Sequence, residues 1–363
     1  MQTRLQRHSK LWELHSKLWE LHSKLWEFRH ETPHKKKKKR APAALAGSAR
    51  VGDIPNSARS LGAVSEGHIT LSAAPGTPPV PQLYTLDSLL SVWDAEATAA
   101  NVAYVSGQRR GPATSLPTLD RDIGGFLATG VHIAHGSPGV GKSAWVLQTA
   151  ADCGFPALVV TTEMSALELF RRHTARKTGT FLGKLKSGEL DPAQSLALAC
   201  RAAAAAPTLA LADATTCFAA PDWIKAAATG LRARFKAAHM LIVVDSVHSW
   251  SEQSDSNLSE YDRLNAALLA LGNLARALDV PILAVAERNR MSMSAGGMSA
   301  SAGTRKFEYA AESVFELNRE KDTPPDAAGE VPLTLTLSKN RNGSPGRTIK
   351  LKFHGALQRF REE

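Results

Sequence analysis

From Thr118 onward two kinds of apolar pattern alternate along the chain. Short, almost continuous apolar runs occur at Val131–Ala134, Ala157–Thr161, Leu209–Leu211, Leu241–Val244 and Pro281–Val285. Segments with helical spacing, at about 142–152, 165–177, 192–205, 221–237 and 261–278, separate them. Brief runs without a polar face suit strands covered on both sides, and the longer periodic segments suit the helices that cover them. The expected fold class is therefore α/β: a mostly parallel sheet with helices on both faces. The pattern changes near the end. Val331, Leu333, Leu335 and Leu337 alternate with polar residues, as do Ile349, Leu351 and Phe353, and Asn342-Gly-Ser-Pro-Gly346 lies between the two sets. That predicts a C-terminal β-hairpin added to the parallel sheet.

Upstream of Thr118 the signal is thinner. Leu86, Leu89, Leu90, Trp93 and Ala97 share one helical face and predict a helix over 83–99 that ends before Gly107–Pro112. Residues 41–81 are rich in Ala, Gly, Ser and Pro and read as a disordered linker. Residues 8–28 repeat one heptad three times: HSKLWEL, HSKLWEL, HSKLWEF. Either this is a short amphipathic helix for a partner or surface, or it records a duplicated coding unit or a start codon assigned too early. Lys35–Lys39 and Arg40 form a solvated basic tail able to touch phosphates without specificity. The expected division is a basic tail and linker over 1–81, a linker-helix region over 82–116, and a catalytic domain over 117–363.

Composition narrows the function classes. The 363 residues carry a formal charge of +10, but residues 1–40 hold 12 Lys and Arg against 4 Glu, and the rest holds 32 basic against 30 acidic side chains. The body is nearly neutral, so charge alone makes no case for nucleic acid. The longest apolar stretch, Ser195–Ala212, is broken by Arg201 and Pro207, which argues against a membrane span, and no secretory signal is evident. Cys153, Cys200 and Cys217 are widely spaced and odd in number, which suggests neither a disulfide framework nor a zinc module and fits a reducing, cytoplasmic setting.

Candidate chemistry lies in His135-Gly-Ser-Pro-Gly-Val-Gly-Lys-Ser143. Gly136, four residues, then Gly141, Lys142 and Ser143 form the P-loop pattern, after a predicted strand and before a predicted helix. Glycines let the backbone wrap closely, so that the loop Gly136, Ser137, Pro138, Gly139, Val140 and Gly141, with an N–H at every position but the proline, surrounds a triphosphate. The helix N-terminus adds partial positive charge. Lys142 would reach the β- and γ-phosphates of ATP and Ser143 would ligate Mg²⁺. The side chains of His135 and Ser137 read as bystanders. Leu241-Ile-Val-Val-Asp245 is a buried strand ending in a carboxylate at the edge where open α/β sheets bind ligands, so Asp245 would hold the Mg²⁺ and its water. Glu163, at the end of the strand after the P-loop helix, is the candidate for orienting the attacking water, with Ser165 capping the next helix.

The order of further segments is more specific. TEMSALELFRRHTAR (162–176), LIVVDSVHSW (241–250), LNAALLALGNLARALDVPILAVAERNR (264–290) and LSKNRNGSPGRTIKLKF (337–353) together resemble the ATPase region of bacterial replicative helicases of the DnaB type, from about Thr118 to Phe360. The wider group includes RadA- and KaiC-type ring ATPases, toward which Asp245-Ser-Val247 leans. The resemblance implies a RecA-like P-loop NTPase core, hexameric rings with ATP between subunits, and single-stranded DNA in the central pore. It implies that Lys339 and Arg341 reach the neighbour's γ-phosphate, and that the helix at 83–99 is a linker helix docking on the adjacent subunit. Lys339 and Arg341, two residues apart on a strand, would point the same way. Pore loops would correspond to 251–259 and to 291–306, with Arg288, Arg290, Arg305 and Lys306. Glu287 stands where the family has Gln, which places a carboxylate toward the γ-phosphate. The family's globular N-terminal domain has no counterpart in residues 1–81. The leading expectation is an ATP-driven DNA helicase or translocase. The alternatives are a RadA- or KaiC-like ring ATPase that remodels without unwinding, and a small-molecule P-loop kinase.

Overall fold

The computed structural model describes residues 83–254, 257–287, 310–319 and 323–363. The heptad repeat, the lysine run, residues 41–81 and the stretch 291–306 lie outside the described residues. Among the described residues nine strands form one sheet in the order β3-β2-β4-β5-β1-β6-β7-β8-β9. Strands β1 (Gly130–Gly136), β2 (Ala157–Thr161), β3 (Leu209–Asp213), β4 (Leu241–Asp245), β5 (Pro281–Glu287) and β6 (Ser313–Asn318) are parallel. Strands β7 (Glu330–Asn340), β8 (Arg347–His354) and β9 (Arg359–Glu362) continue the sheet antiparallel. Every residue of β2 and of β4 is buried, as expected for strands covered on both faces.

Among the described residues the α-helices include α1 (Leu90–Ser106), α2 (Pro117–Asp122), α3 (Lys142–Asp152), α4 (Ala166–Thr178), α5 (Lys184–Ser187), α6 (Pro192–Ala205), α7 (Pro221–Phe235), α8 (Val247–Glu252) and α9 (Glu260–Leu278). Their starts follow local chemistry. Asp191 accepts from the backbone N–H groups of Ala193 and Gln194 and caps α6, with Pro192 at the first helical position. Ser165 caps α4 by accepting from Glu168 N–H, and Ser259 caps α9 through Asp262 N–H. One core packs α2, α3 and α4 against the sheet around Trp145, Leu169 and Phe315, and a second packs α7, α8 and α9 around Ile224, Trp250 and Leu271. The predicted layering is therefore observed, as is the hairpin: Val331, Leu333, Leu335, Leu337, Ile349 and Leu351 are all buried.

Two expectations are corrected. The first helix is not 83–99; after a single 3₁₀ turn at Asp87–Leu89 it runs over 90–106 and stops at Gly107, whose φ of 67° is the left-handed cap. Among the described residues its apolar side chains are left uncovered: Leu90, Trp93, Val102, Tyr104 and Val105 are all more than half exposed. Secondly, Lys339 and Arg341 do not share a strand. β7 ends at Asn340, after a register shift opposite Val314 and Phe315, and Arg341 lies in the turn beyond. The physical reason is the partner's position: the Arg341 N–H donates to Glu312 O, before β6 begins, so the ladder has nothing further to pair with. Among the described residues no helix is long and apolar enough to cross a membrane.

Candidate nucleotide site

The strand order brings four carboxyl ends into a row. In β2-β4-β5-β1 the residues at or just beyond those ends are Glu163, Asp245, Glu287 and the P-loop, although 124 residues of sequence separate Glu163 from Glu287. The register aligns them, with Thr161 beside Asp245 and Gly136 beside Glu287. This is the crevice outside the strand ends where open α/β sheets place ligands.

The loop needs glycine where it touches its supports. A Cβ on Gly136 would be driven into the carbonyl oxygen of Leu317 on β6. Gly141 has φ 97°, and a Cβ there would lie 2.9 Å from Phe360 Cζ and 3.3 Å from Phe353 Cε1. Those two rings stack at 4.4 Å. Gln148 of α3 grips the backbone of Phe360 at both ends: its Nε2 donates to Phe360 O at 3.0 Å and its Oε1 accepts from Phe360 N–H at 2.9 Å. The P-loop therefore rests on β8 and β9 as well as on its own strand.

Lys142 is buried, and its Nζ donates to Gly136 O at 2.9 Å and Ser137 O at 3.2 Å. Burial pulls its ammonium below the usual lysine range, and Glu287, Asp245 and Glu163 oppose that fall. Asp245 is 2% exposed. Burial pushes its carboxyl up to about 6 and the Glu163 carboxylate adds to the rise, while the Ser143 hydroxyl bond, Lys142 and Arg172 work against it. Its Oδ1 is buried without a hydrogen-bond partner. A buried, unpartnered carboxylate oxygen beside a serine hydroxyl is the hard-oxygen donor set that Mg²⁺ prefers, so these residues fit the ion.

Glu163 is exposed, and its Oε1 accepts two hydroxyls, Ser246 Oγ at 2.5 Å and Ser249 Oγ at 3.1 Å. Thr162 ties β2 to the end of β4: its N–H donates to Asp245 O at 2.8 Å and its Oγ1 accepts from Ser246 N–H at 3.0 Å. The Glu287 N–H donates to His248 Nδ1 at 3.3 Å. No role at the site was legible in the sequence for Ser246, His248, Ser249, Gln148, Phe353 or Phe360, because each acts through a neighbour distant in the chain.

Lys339 and Arg341 lie elsewhere. Lys339 pairs with Val314 near the start of β6, whereas Leu317 further along β6 is level with Gly136. Arg341 is level with Glu312, five residues before Leu317, or roughly 17 Å along the strand direction. Its Nη1 is 2.8 Å from Glu312 Oε1. The pair is at the opposite edge of the sheet from the P-loop of its own chain. Of the expected pore loops, 251–254 and 257–259 are described: α8 runs to Glu252, and Gln253 Nε2 donates to Ala214 O.

The profile of the family described as "DnaB-like helicase C terminal domain" matches residues 111–362. The replicative DNA helicase DnaB of Treponema pallidum (strain Nichols) is 28% identical over 264 residues, covering 69% of this chain and 56% of the relative. The protein of the same name from Geobacillus stearothermophilus is 25% identical over 264 residues, covering 69% and 57%. The chain thus spans little more than half the length of these two curated relatives. Two solved structures share the fold at 18% identity. One is an ATPase domain (TM-score 0.65; 78% of this chain, 100% of that one). The other is a DnaB-like replicative helicase solved for its interactions with primase (TM-score 0.64; 77% and 69%).

Proposed function

The chain belongs to the family of DnaB-like helicase C-terminal domains, and from that premise we propose that it is an ATP hydrolase that works as a hexameric ring and moves on single-stranded DNA. The P-loop N–H groups and Lys142 bind the triphosphate. Ser143 and Asp245 would hold Mg²⁺, which would supply positive charge against the phosphates. Glu163 orients the attacking water, and Glu287 faces the γ-phosphate end of the site beside Lys142. Lys339 and Arg341 complete the site of the adjacent subunit, and the exposed apolar residues of α1 fit a helix that docks on that subunit. In this reading 1–81 is a tail and linker, 82–116 the linker-helix region and 117–363 the ATPase domain.

One observation carries the proposal. The same sheet holds an acidic, lysine-centred crevice at one edge and a basic hairpin tip at the other, too far apart to serve one nucleotide within one chain. Two copies arranged head to tail satisfy both halves, which is the heterologous contact that closes into a ring. The test is native mass and ATPase rate with ATP and Mg²⁺, with and without single-stranded DNA. A multiple of the monomer mass and a rate raised by the strand are expected. A monomer with brisk turnover would sink the shared site. A ring whose rate ignores the strand would remove the DNA motor and leave a ring ATPase.

A further inference from the structure

Helix α8 has only six residues, yet it touches Glu163 beyond β2 and Glu287 at the end of β5. Val247 and Trp250 are buried beneath it, and Trp250 Nε1 donates to Ala219 O at 2.9 Å, which fixes the turn from below. His248 and Ser249 fall between those anchors and face the site. Ser249 Oγ, with Ser246 Oγ, occupies Glu163 Oε1. His248 Nδ1 accepts the Glu287 N–H at the end of β5. One rigid turn thus joins the water-orienting candidate on β2 to the last described residue of β5. The link is short: three consecutive peptide units separate Ser246 from Ser249, and both contacts change if the turn shifts.

We propose that Ser249 and His248 are positioning residues that restrain Glu163: Ser249 holds the carboxylate against α8, and His248 ties that turn to Glu287. This rests on the hydrolase reading above. A carboxylate oxygen that already accepts two hydroxyls has its lone-pair directions occupied, so only Oε2 is left to take a proton from water, and the two hydroxyls fix where that oxygen can reach. Removal of one donor releases the side chain toward the γ-phosphate. The restraint therefore lowers turnover until something moves the end of β5, and His248 is the contact through which that movement reaches Glu163.

The test uses the full chain and steady-state ATPase kinetics without DNA. Ser249→Ala should raise kcat about 2- to 10-fold, the range of one net hydrogen bond, and leave KM for ATP unchanged. Ser249→Thr, which keeps the hydroxyl, should return kcat to the wild-type value. His248→Leu should raise kcat as well, and the double variant should be no faster than the faster single one, because both cut the same link. An unchanged or lower kcat in Ser249→Ala, failure of threonine to restore it, or simple additivity would each overturn the proposal. These results are separable from failure of the parent reading. A wild-type chain that binds ATP and turns over none removes both, whereas wild-type turnover that Ser249→Ala does not alter removes this one alone.

Discussion

The two edges of the parallel sheet are built on different principles. At the carboxyl edge Lys142, Asp245 and Ser246 are buried and held by strand ends, helix starts and the Phe353–Phe360 stack. At the opposite edge Arg341 is half exposed, and its contacts include the Glu312 carboxylate and the Glu312 carbonyl. The first edge is preorganised within one chain: its charges lose little further freedom when phosphate arrives. The second holds its cation in an ion pair of the exposed kind, worth about 1 kcal/mol or less. Such a pair keeps an arginine placed but yields easily to a stronger anion. On the proposed reading, the contrast separates the half of a catalytic site that folding completes from the half that assembly would complete.

The sharpest way to break that contrast is to disable each edge in turn. Lys142→Ala should abolish turnover at any protein concentration. Arg341→Ala should lower it ~10³-fold, but only where subunits are assembled. Mixing the two variants should restore activity that neither has alone, measured as ATPase rate against mixing ratio. No restoration would mean that both edges act within one chain.

A somewhat smaller effect is expected at the support of the P-loop. Phe360 is 3% exposed beneath Gly141, so Phe360→Ala should cost about 3–5 kcal/mol of stability, read from urea midpoints. Nucleotide affinity should fall with it, since the loop loses its floor. A variant that is destabilised yet binds ATP normally would show that β9 supports the fold and not the site.

Acid should act on the fold through a histidine buried in α4, away from the nucleotide crevice. His173 of α4 is buried next to the Asp152–Arg176–Lys177 ion pairs, and burial, above all, lowers its imidazole to about 4. The unfolded chain protonates this group near 6.5 and the folded chain resists, so the contribution of His173 to stability is full above pH 6.5 and falls progressively toward pH 4. Over that window the loss is about 3 kcal/mol. His173→Gln should flatten the fall in a series of urea titrations at stepped pH. An unaltered slope would assign the acid sensitivity to another group.

The smallest effect belongs to the opposite edge. Glu312→Gln should change stability by about 1 kcal/mol or less, because the pair with Arg341 is solvent-exposed. Its ATPase rate in the assembled state should equal or exceed that of the wild type, since Arg341 is then released for the neighbour. A large loss of stability would show that the hairpin tip is as firmly built as the crevice.

Much of this architecture is legible in the pattern of residues. The P-loop helix and α6 begin and end where the spacing placed them, at 142–152 and 192–205, because glycine, aspartate and proline mark their starts locally. The strands at 157–161 and 241–245 are apolar runs short enough to admit no other reading. The sixth parallel strand, Ser313–Asn318, was not legible. Its SVFELN carries no clean alternation, and its place depends on pairing with β1, about 180 residues earlier in the chain. β9 escaped for the same reason, being four residues whose partner is β8. The presence of α1 was legible but its extent was not, since among the described residues it buries no side chain that would mark an end. At the site, Glu163, Asp245, Glu287 and Lys142 could be named from their motifs. The turn that connects Glu163 with Glu287 could not, because a serine and a histidine acquire their partners only when β2, β4 and β5 lie side by side.

The grip of Gln148 on Phe360 spans 212 residues of sequence. During synthesis the glycine turn leaves the ribosome long before the strand that floors it, by roughly 10–40 s at ordinary elongation rates. Throughout that interval the nascent chain carries the phosphate-binding motif without the surface that shapes it. Capacity for nucleotide therefore arrives late and all at once, and a chain released before β9 would carry the motif but not the pocket.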